Sequence, residues 1–307
     1  MSQASSEKQT ELSASARQAI TARANRAGIL WMSFGMSAFI GNDALIKAVG
    51  TRVPAAQMIV VRGVMAIALI LLVAWRMGAL DRLRDIARGW VVVRAGCEGV
   101  GTFLYLAGLF HLPLANVTAI NLASPLFIAV LARLIYQEQV SAARWLAIGL
   151  GFCGVMMIIQ PSGEGFNIYA LMSLAATLIF AGRDLMTRKI PPSTPSILIT
   201  LATASTVWLL AGGVLSWQGW VPMSWHDVGL LAIASVFLSA GYYSVIAAMR
   251  QGEMSVVAPF RYVGLLWALL IGFVIWGDIP NALAWAGIAL LIGAGLYMLR
   301  QQRTKPA

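Results

Sequence analysis

Residues 54–76 read PAAQMIVVRGVMAIALILLVAWR, and the solvent that this stretch requires decides the fold. Between Pro54 and Arg76 it carries a single charge, Arg62. A helix of this length matches the roughly 30 Å of bilayer hydrocarbon at about 1.5 Å per residue. An apolar surface on every side leaves no face for water, so the stretch reads as a membrane span rather than an amphipathic helix. Pro54 suits a helix start, where its missing N–H is not needed.

The rest of the chain has the same texture. Apolar residues make up 59% of the 307 positions and charged residues 11%, against about 25% charged in a soluble domain. Apolar runs begin near Ala27, Pro54, Val91, Leu114, Ala142, Phe166, Ser196, Asp227, Met254 and Ala282. Short breaker-rich connections separate them, among them Leu112-Pro113, Pro161-Ser162-Gly163, Pro191-Pro192 and Gly277-Asp278-Ile279-Pro280. The expected fold class is therefore all-α integral membrane, with ten transmembrane helices and no soluble domain. Residues 1–26 read as a polar tail without the apolar core of a cleaved signal peptide, and residues 301–307 as a second tail.

The formal net charge of +10 raises the question of nucleic acid, but the basic residues sit at the ends of apolar runs and form no stripe with interleaved aromatics. No nucleic-acid partner is expected. Cys97 and Cys153 both lie inside apolar runs and read as packing residues. With only His111 and His226 besides, neither a metal site nor a cofactor is expected. With an internal N-terminus, Lys47 and Arg52 are the basic residues left on the outer side, and Arg62 and Arg261 lie within the membrane. The other Lys and Arg residues, Arg94 and Arg183 included, are assigned to cytoplasmic segments. That bias predicts both termini in the cytoplasm of a bacterial inner-membrane protein, with Trp217, Trp220 and Trp225 as an outer aromatic belt.

Sliding the chain against itself by about 140 residues aligns landmarks that composition alone would not. Phe39, Gly41, Asp43 and Lys47 fall on Phe180, Gly182, Asp184 and Arg188. Pro54 falls on Pro195, Gly101 on Gly241, Glu138 on Asp278 and Trp145 on Trp285. The expected domains are thus two five-helix repeats, 27–160 and 161–300. Five is odd, so the second repeat enters the membrane inverted, a plan that recurs in secondary transporters because two equivalent halves can rock about one midplane site.

The motif Ala258-Pro259-Phe260-Arg261-Tyr262, followed by Leu266-Trp267-Ala268-Leu269 and the Gly277-Asp278 turn, resembles the EamA-like type of the drug/metabolite transporter superfamily. The opening of span two from Pro54 to Arg62 and the Glu138 turn add to the likeness. The resemblance covers about residues 27–300. It implies a central cavity lined by helices one to four and six to nine, with helices five and ten as scaffold. The substrates it implies range over amino acids, nucleosides, vitamins and other metabolites.

Within the spans, ionisable groups are the functional candidates, because a charge near the bilayer centre costs roughly 2.5 to 3.5 kcal/mol. Arg62 is expected to bind an anionic substrate group or to hold helix two through a fixed ion pair. Glu98 is the carboxylate deepest in an apolar run. It is expected either to relay protons or to pair statically with Arg62. Asn121 and Arg261 occupy equivalent repeat positions beside Pro125 and Pro259, whose missing N–H groups free carbonyls for a wet cavity. Tyr243, Tyr262 and Trp267 are candidates for stacking on a planar substrate, as is Tyr242, against the simpler reading of packing or lipid contact. Asp43 and Asp184 are gate candidates, against the plainer reading of solvated span ends. Gly149-x-x-x-Cys153 and Ala289-x-x-x-Gly293 read as close-approach motifs for a scaffold or a homodimer.

The expected function is a secondary transporter, not an enzyme, moving a small-molecule substrate across the lipid bilayer, with export ahead of import and proton coupling as one option. Import of a cofactor-like molecule such as riboflavin or S-adenosylmethionine is the alternative. A membrane enzyme acting on lipids would call for an acidic or His cluster at one face, and the sequence has none. A receptor or assembly role would leave the buried charges unexplained.

Overall fold

The computed structural model describes residues 2–303 except 88, 138–140, 161–166, 188, 192 and 252–253. Glu138, Arg188 and the Pro161-Ser162-Gly163 connection therefore lie outside the described residues, as do the side chains of residues 2–21. Every described element is helical. In chain order these are α1 (Ser2–Val49), α2 (Ala55–Arg76), a 3-10 segment (Leu80–Ala87), α3 (Gly89–His111), α4 (Leu114–Asn121), α5 (Ser124–Tyr136) and α6 (Ala142–Ile159). There follow α7 (Ile168–Thr187), α8 (Ser196–Gln218), α9 (Trp225–Gln251), α10 (Met254–Val257), a 3-10 turn (Ala258–Tyr262), α11 (Val263–Trp276) and α12 (Ala282–Arg303).

Among the described residues, eight segments are long and apolar enough to cross a membrane, with α4 and α5 joined as one and α11 extended back to Pro259. Two further apolar helices, Trp145–Ile159 and Ala282–Met298, are shorter. Large apolar side chains such as Leu134, Leu266 and Val274 point outward from the bundle, which suits lipid and would be costly in water. Trp217 and Trp225 are 95% and 91% exposed beside the α8–α9 connection, as an interfacial anchor requires. The polar leader read as a tail is helical and runs without a break into α1.

Local geometry recurs about 140 residues apart. Pro54 and Pro195 are the N-caps of α2 and α8, with φ of −59° and −60°. The same two helices are followed by left-handed glycines, Gly78 and Gly219, at φ 63° and 77°. The pair Gln137 and Gly277 caps α5 and α11 at φ 53° and 70°. Pro125 opens α5 just past a break at Leu122-Ala123, and Pro259 lies in the 3-10 turn before α11. Each proline lacks a donor and crowds the preceding turn, so the helix re-forms after it.

Packing follows the same exchange. α1 lies along α9 and α3 along α7, while α2 packs on α8 and α6 on α12. Phe39 of α1 covers Gly241 of α9, where an added Cβ would sit 2.8 Å from the ring. Phe180 of α7 covers Gly101 of α3 in the same way, at 2.5 Å. The landmarks matched in sequence thus meet crosswise in space. The main apolar core fills the space between them, centred on Leu109, Leu114, Ile120, Leu126, Leu265 and Leu291.

Polar ties close both ends of the bundle. At the end where α1 finishes, called distal below, Arg52 meets Asp227 at 2.6 Å, and the Gln57 amide exchanges two hydrogen bonds with the Val221 backbone at 2.7 and 2.9 Å. Lys47 donates to the Leu112 carbonyl, with Asp278 at 3.9 Å and the Trp276 ring beneath it. At the opposite, proximal end, Arg82 donates to the Ser193 carbonyl, Tyr136 donates to Leu185 O at 3.1 Å, and Lys189 lies over Trp90.

The seam between α6 and α12 does not use the close-approach motifs read from the sequence. Gly149, Cys153, Ala289 and Gly293 all face outward. α6 and α12 instead touch through Gly154 and Gly287, whose absent side chains let each backbone meet the other directly. The motif residues and the contact residues lie on different faces of the same helices, and only packing distinguishes the two faces.

Candidate functional site

Polar side chains inside the bundle form two linked groups. The distal group starts on α1, where Asn42 and Asp43 are adjacent. Arg62 of α2 donates to Asn42 Oδ1 at 3.0 Å, and Asn42 Nδ2 donates to Asp43 Oδ1 at 2.9 Å. From α3, the Tyr105 hydroxyl donates to Asp43 Oδ2 at 2.6 Å. Asp43 is half-buried and fully engaged. It is not the solvated span end that its place near the end of α1 suggests.

The proximal group joins α3 and α7. Arg183 donates through Nη1 to Glu98, and through Nη2 and Nε to Asp184 Oδ1 at 2.7 and 2.9 Å. The Arg183 and Glu98 side chains are only 18% and 11% exposed, whereas Asp184 is 44% exposed. One turn before Glu98, Arg94 donates to the Thr187 and Thr203 hydroxyls at 2.9 and 2.7 Å. Arg183 also lies 4.9 Å over the Phe180 ring, an arrangement that favours a cation.

Aromatic residues connect the groups. Tyr105 and Phe180 have ring centroids 6.3 Å apart. Tyr242 of α9 meets Phe39 edge-to-face at 5.1 Å and lies within electrostatic range of Arg62, Arg94, Arg183 and Glu98. Arg261, in the turn that Pro259 opens, is half-buried and within electrostatic range of Arg183 and Asp184.

Several sequence expectations change here. Glu98 pairs with Arg183, not with Arg62, because α3 lies along α7 and presents Glu98 to it. Arg94 and Arg183, counted in the sequence with the cytoplasmic basic residues, stand inside α3 and α7 and both take part in the cluster. Tyr262 turns its hydroxyl towards Gly295 of α12 and lines an apolar cavity of about 320 Å³ with Phe260 and Trp285. Tyr243 is 67% exposed and meets Trp31, so the neighbouring Tyr242 is the tyrosine that faces the cluster. Trp267 is exposed, and no described hydrogen bond or ring contact involves it. Asn121 ends α4 half-buried at the helix break, again without a described hydrogen bond.

Asn42, Arg94, Tyr105 and Arg183, none of them a candidate from the sequence, join the candidate Tyr242 in the cluster. One signal could have found Arg183. Gly41-Asn42-Asp43 aligns with Gly182-Arg183-Asp184, and the residue between the matched landmarks bonds to a neighbouring helix in each case, Asn42 to Arg62 of α2 and Arg183 to Glu98 of α3.

Residues 26–160 match the model of the EamA-like transporter family. The chain is 29% identical over 226 residues to a riboflavin transporter of Brucella anthropi, spanning 71% of this chain and 79% of the relative. It is 23% identical over 279 residues to a pseudopaline exporter of Pseudomonas aeruginosa, spanning 91% and 98%. A solved crystal structure superposes with a TM-score of 0.60 at 15% identity, over 90% of this chain and 99% of that one, which supports the same fold. The apolar helices, an EamA-like domain over residues 26–160 and the likeness to named transporters along most of the chain all point the same way.

Proposed function

We propose that the chain is a secondary transporter of the bacterial inner membrane that exports a small organic metabolite through a site between two inverted five-helix repeats, 27–160 and 161–300. Both termini lie in the cytoplasm in this reading, which places the distal end outside. The observation that carries it is the charged cluster inside the bundle, built jointly from α1, α2 and α3 on one side and from α7, α9 and the Arg261 turn on the other. Intramembrane charges are costly, and they mark substrate or ion pathways far more often than they stabilise a fold. The crosswise contacts Phe39–Gly241 and Phe180–Gly101 support the repeat, since two halves that exchange equivalent contacts can rock about one centre. Asp43 and Glu98 are the carboxylates available to carry a coupled proton.

The similar proteins include one named as an exporter and one named for riboflavin, so import of a cofactor-like molecule is the second reading. Metabolite profiling of cells and medium separates the two, comparing wild-type, deletion and Arg62→Ala strains. Export predicts a compound retained in deletion cells and depleted from their medium, with Arg62→Ala matching the deletion at normal membrane levels. The opposite distribution establishes import. No shift in either compartment across several growth conditions would refute transport.

A further inference from the structure

The same two corners of the fold meet at each end of the bundle, with the halves of the chain exchanged. Arg52 and Ser193 each stand two residues before the proline that opens the next helix, Pro54 of α2 and Pro195 of α8. Gly78 and Gly219, both left-handed, lie in the connectors that follow those helices. Distally, the α1–α2 corner meets the α8–α9 corner. Arg52 donates through Nη2 and Nε to Asp227 Oδ1 at 2.6 and 3.2 Å, and Gln57 exchanges two hydrogen bonds with the Val221 backbone. Proximally, the 3-10 segment between α2 and α3 meets the α7–α8 corner, where Arg82 donates to the Ser193 carbonyl. Each of these contacts joins one half of the chain to the other. Asp43, by contrast, is bonded by Asn42 and Tyr105 of its own half, and Asp184 by Arg183 of its own helix.

The distal bonds can part without stranding a charge. The Arg52 side chain is 54% exposed, so it passes to water at little cost once released. Asp227, whose side chain is only 6% exposed, keeps a second partner. The Ser224 hydroxyl donates to its Oδ2 at 2.7 Å and accepts from its N–H at 3.1 Å. Gln57 is fully buried with both ends of its amide engaged, so α2 and the α8–α9 connector separate only when two bonds break together. Arg62 follows five residues later on α2, about 8 Å further in at about 1.5 Å per residue. The charged cluster therefore begins just inside this latch.

We infer that these contacts are the gates of the transport path: Arg52–Asp227 and Gln57–Val221 close its distal mouth, and Arg82–Ser193 closes its proximal mouth. In the transporter reading above, on which this rests, rocking of the two halves separates equivalent corners in turn. The same residues then decide from which side water and substrate reach the cluster.

The test uses the full-length chain in cells and in inverted membrane vesicles. Cys97 and Cys153 are replaced by alanine, and Asn42→Cys serves as the reporter buried in the cluster. A membrane-impermeant maleimide then reads access from one side at a time. Arg52→Ala is expected to label about tenfold faster from outside, the change in open population that loss of one charge-assisted hydrogen bond gives. Its rate from inside should be no higher than that of the parent. Arg82→Ala is expected to do the reverse, and Arg52→Lys, which keeps a charged donor, should stay near the parent rate. Should Arg52→Ala fail to reach the membrane, Gln57→Ala opens the same mouth. A brace without a gating role would loosen the bundle as a whole or not at all. Faster labelling from both sides, no change in either variant, or acceleration on the same side by both would thus overturn the assignment. If Arg52→Ala acts from inside and Arg82→Ala from outside, the gates stand and the orientation of the chain is reversed. Transport itself is judged by the metabolite profiles, so a transported compound with labelling unchanged by either variant would sink the gates and leave the transporter.

Discussion

The same substitution at two glycines of α6 should have opposite effects. Gly154 faces α12, and a Cβ built there would lie 2.7 Å from the Gly287 carbonyl oxygen and 3.0 Å from the Leu291 backbone nitrogen. Both obstacles are backbone atoms and cannot rotate away, so Gly154→Ala must push two packed helices apart. Overpacking of this kind costs about 1 to 3 kcal/mol. The better helix propensity of alanine returns about 0.8 to 1 kcal/mol. Since the strain is shared along the whole α6–α12 seam, the upper part of the range applies, and the net loss should be about 2 kcal/mol. Gly149, on the outward face of the same helix, has nothing within 4 Å of its built Cβ. Only the propensity gain remains there, so Gly149→Ala should be neutral or stabilising by up to about 1 kcal/mol. Gly287→Ala and Gly293→Ala repeat the comparison on α12, since a Cβ at Gly287 meets the Gly154 carbonyl whereas Gly293 is open. Unfolding of the purified protein by SDS, followed by tryptophan fluorescence, measures all four. Equal destabilisation by Gly149→Ala and Gly154→Ala would refute the assignment of the α6–α12 contact face.

Two further outcomes follow from the site and the caps. Glu98→Ala removes the buried partner of Arg183 and should cost about 3 kcal/mol, whereas Asp184→Ala removes a partner that is 44% exposed and should cost under about 1 kcal/mol. The same SDS titration reads both, and equal costs would contradict the difference in burial. Gln137 holds a left-handed φ of 53° at the end of α5, where Gly277 serves the equivalent cap of α11. Gln137→Gly should therefore stabilise by up to about 1 kcal/mol and Gly277→Ala should destabilise by a similar amount. A loss of thermal stability in Gln137→Gly would count against that cap geometry.

Much of the architecture was legible because lipid is an undemanding reader of sequence. An apolar run of about 20 residues has one stable backbone in hydrocarbon, since only a helix satisfies every N–H and C=O internally. Span starts such as Leu114, Ala142, Ser196 and Ala282 consequently coincide with helix starts. Prolines and glycines marked the remaining punctuation, because Pro54, Pro195 and Gly277 act on their own backbone and need no distant partner. The buried charges Arg62, Glu98 and Arg261 were legible for a related reason, as each interrupts an apolar run.

Partnership was decided only by the tertiary structure. Sequence depth placed Glu98 near Arg62, but α3 lies along α7, so Glu98 meets Arg183 and Arg62 meets Asn42. The choice between Tyr242 and Tyr243, or between Gly149 and Gly154, depends on which side of a helix faces its neighbours. In a helix that is apolar all round no amphipathic stripe marks that side. Composition and the backbone's need for hydrogen bonds set the helices and their ends, while helix rotation and pairing, and with them the charged site, depend on contacts between distant segments.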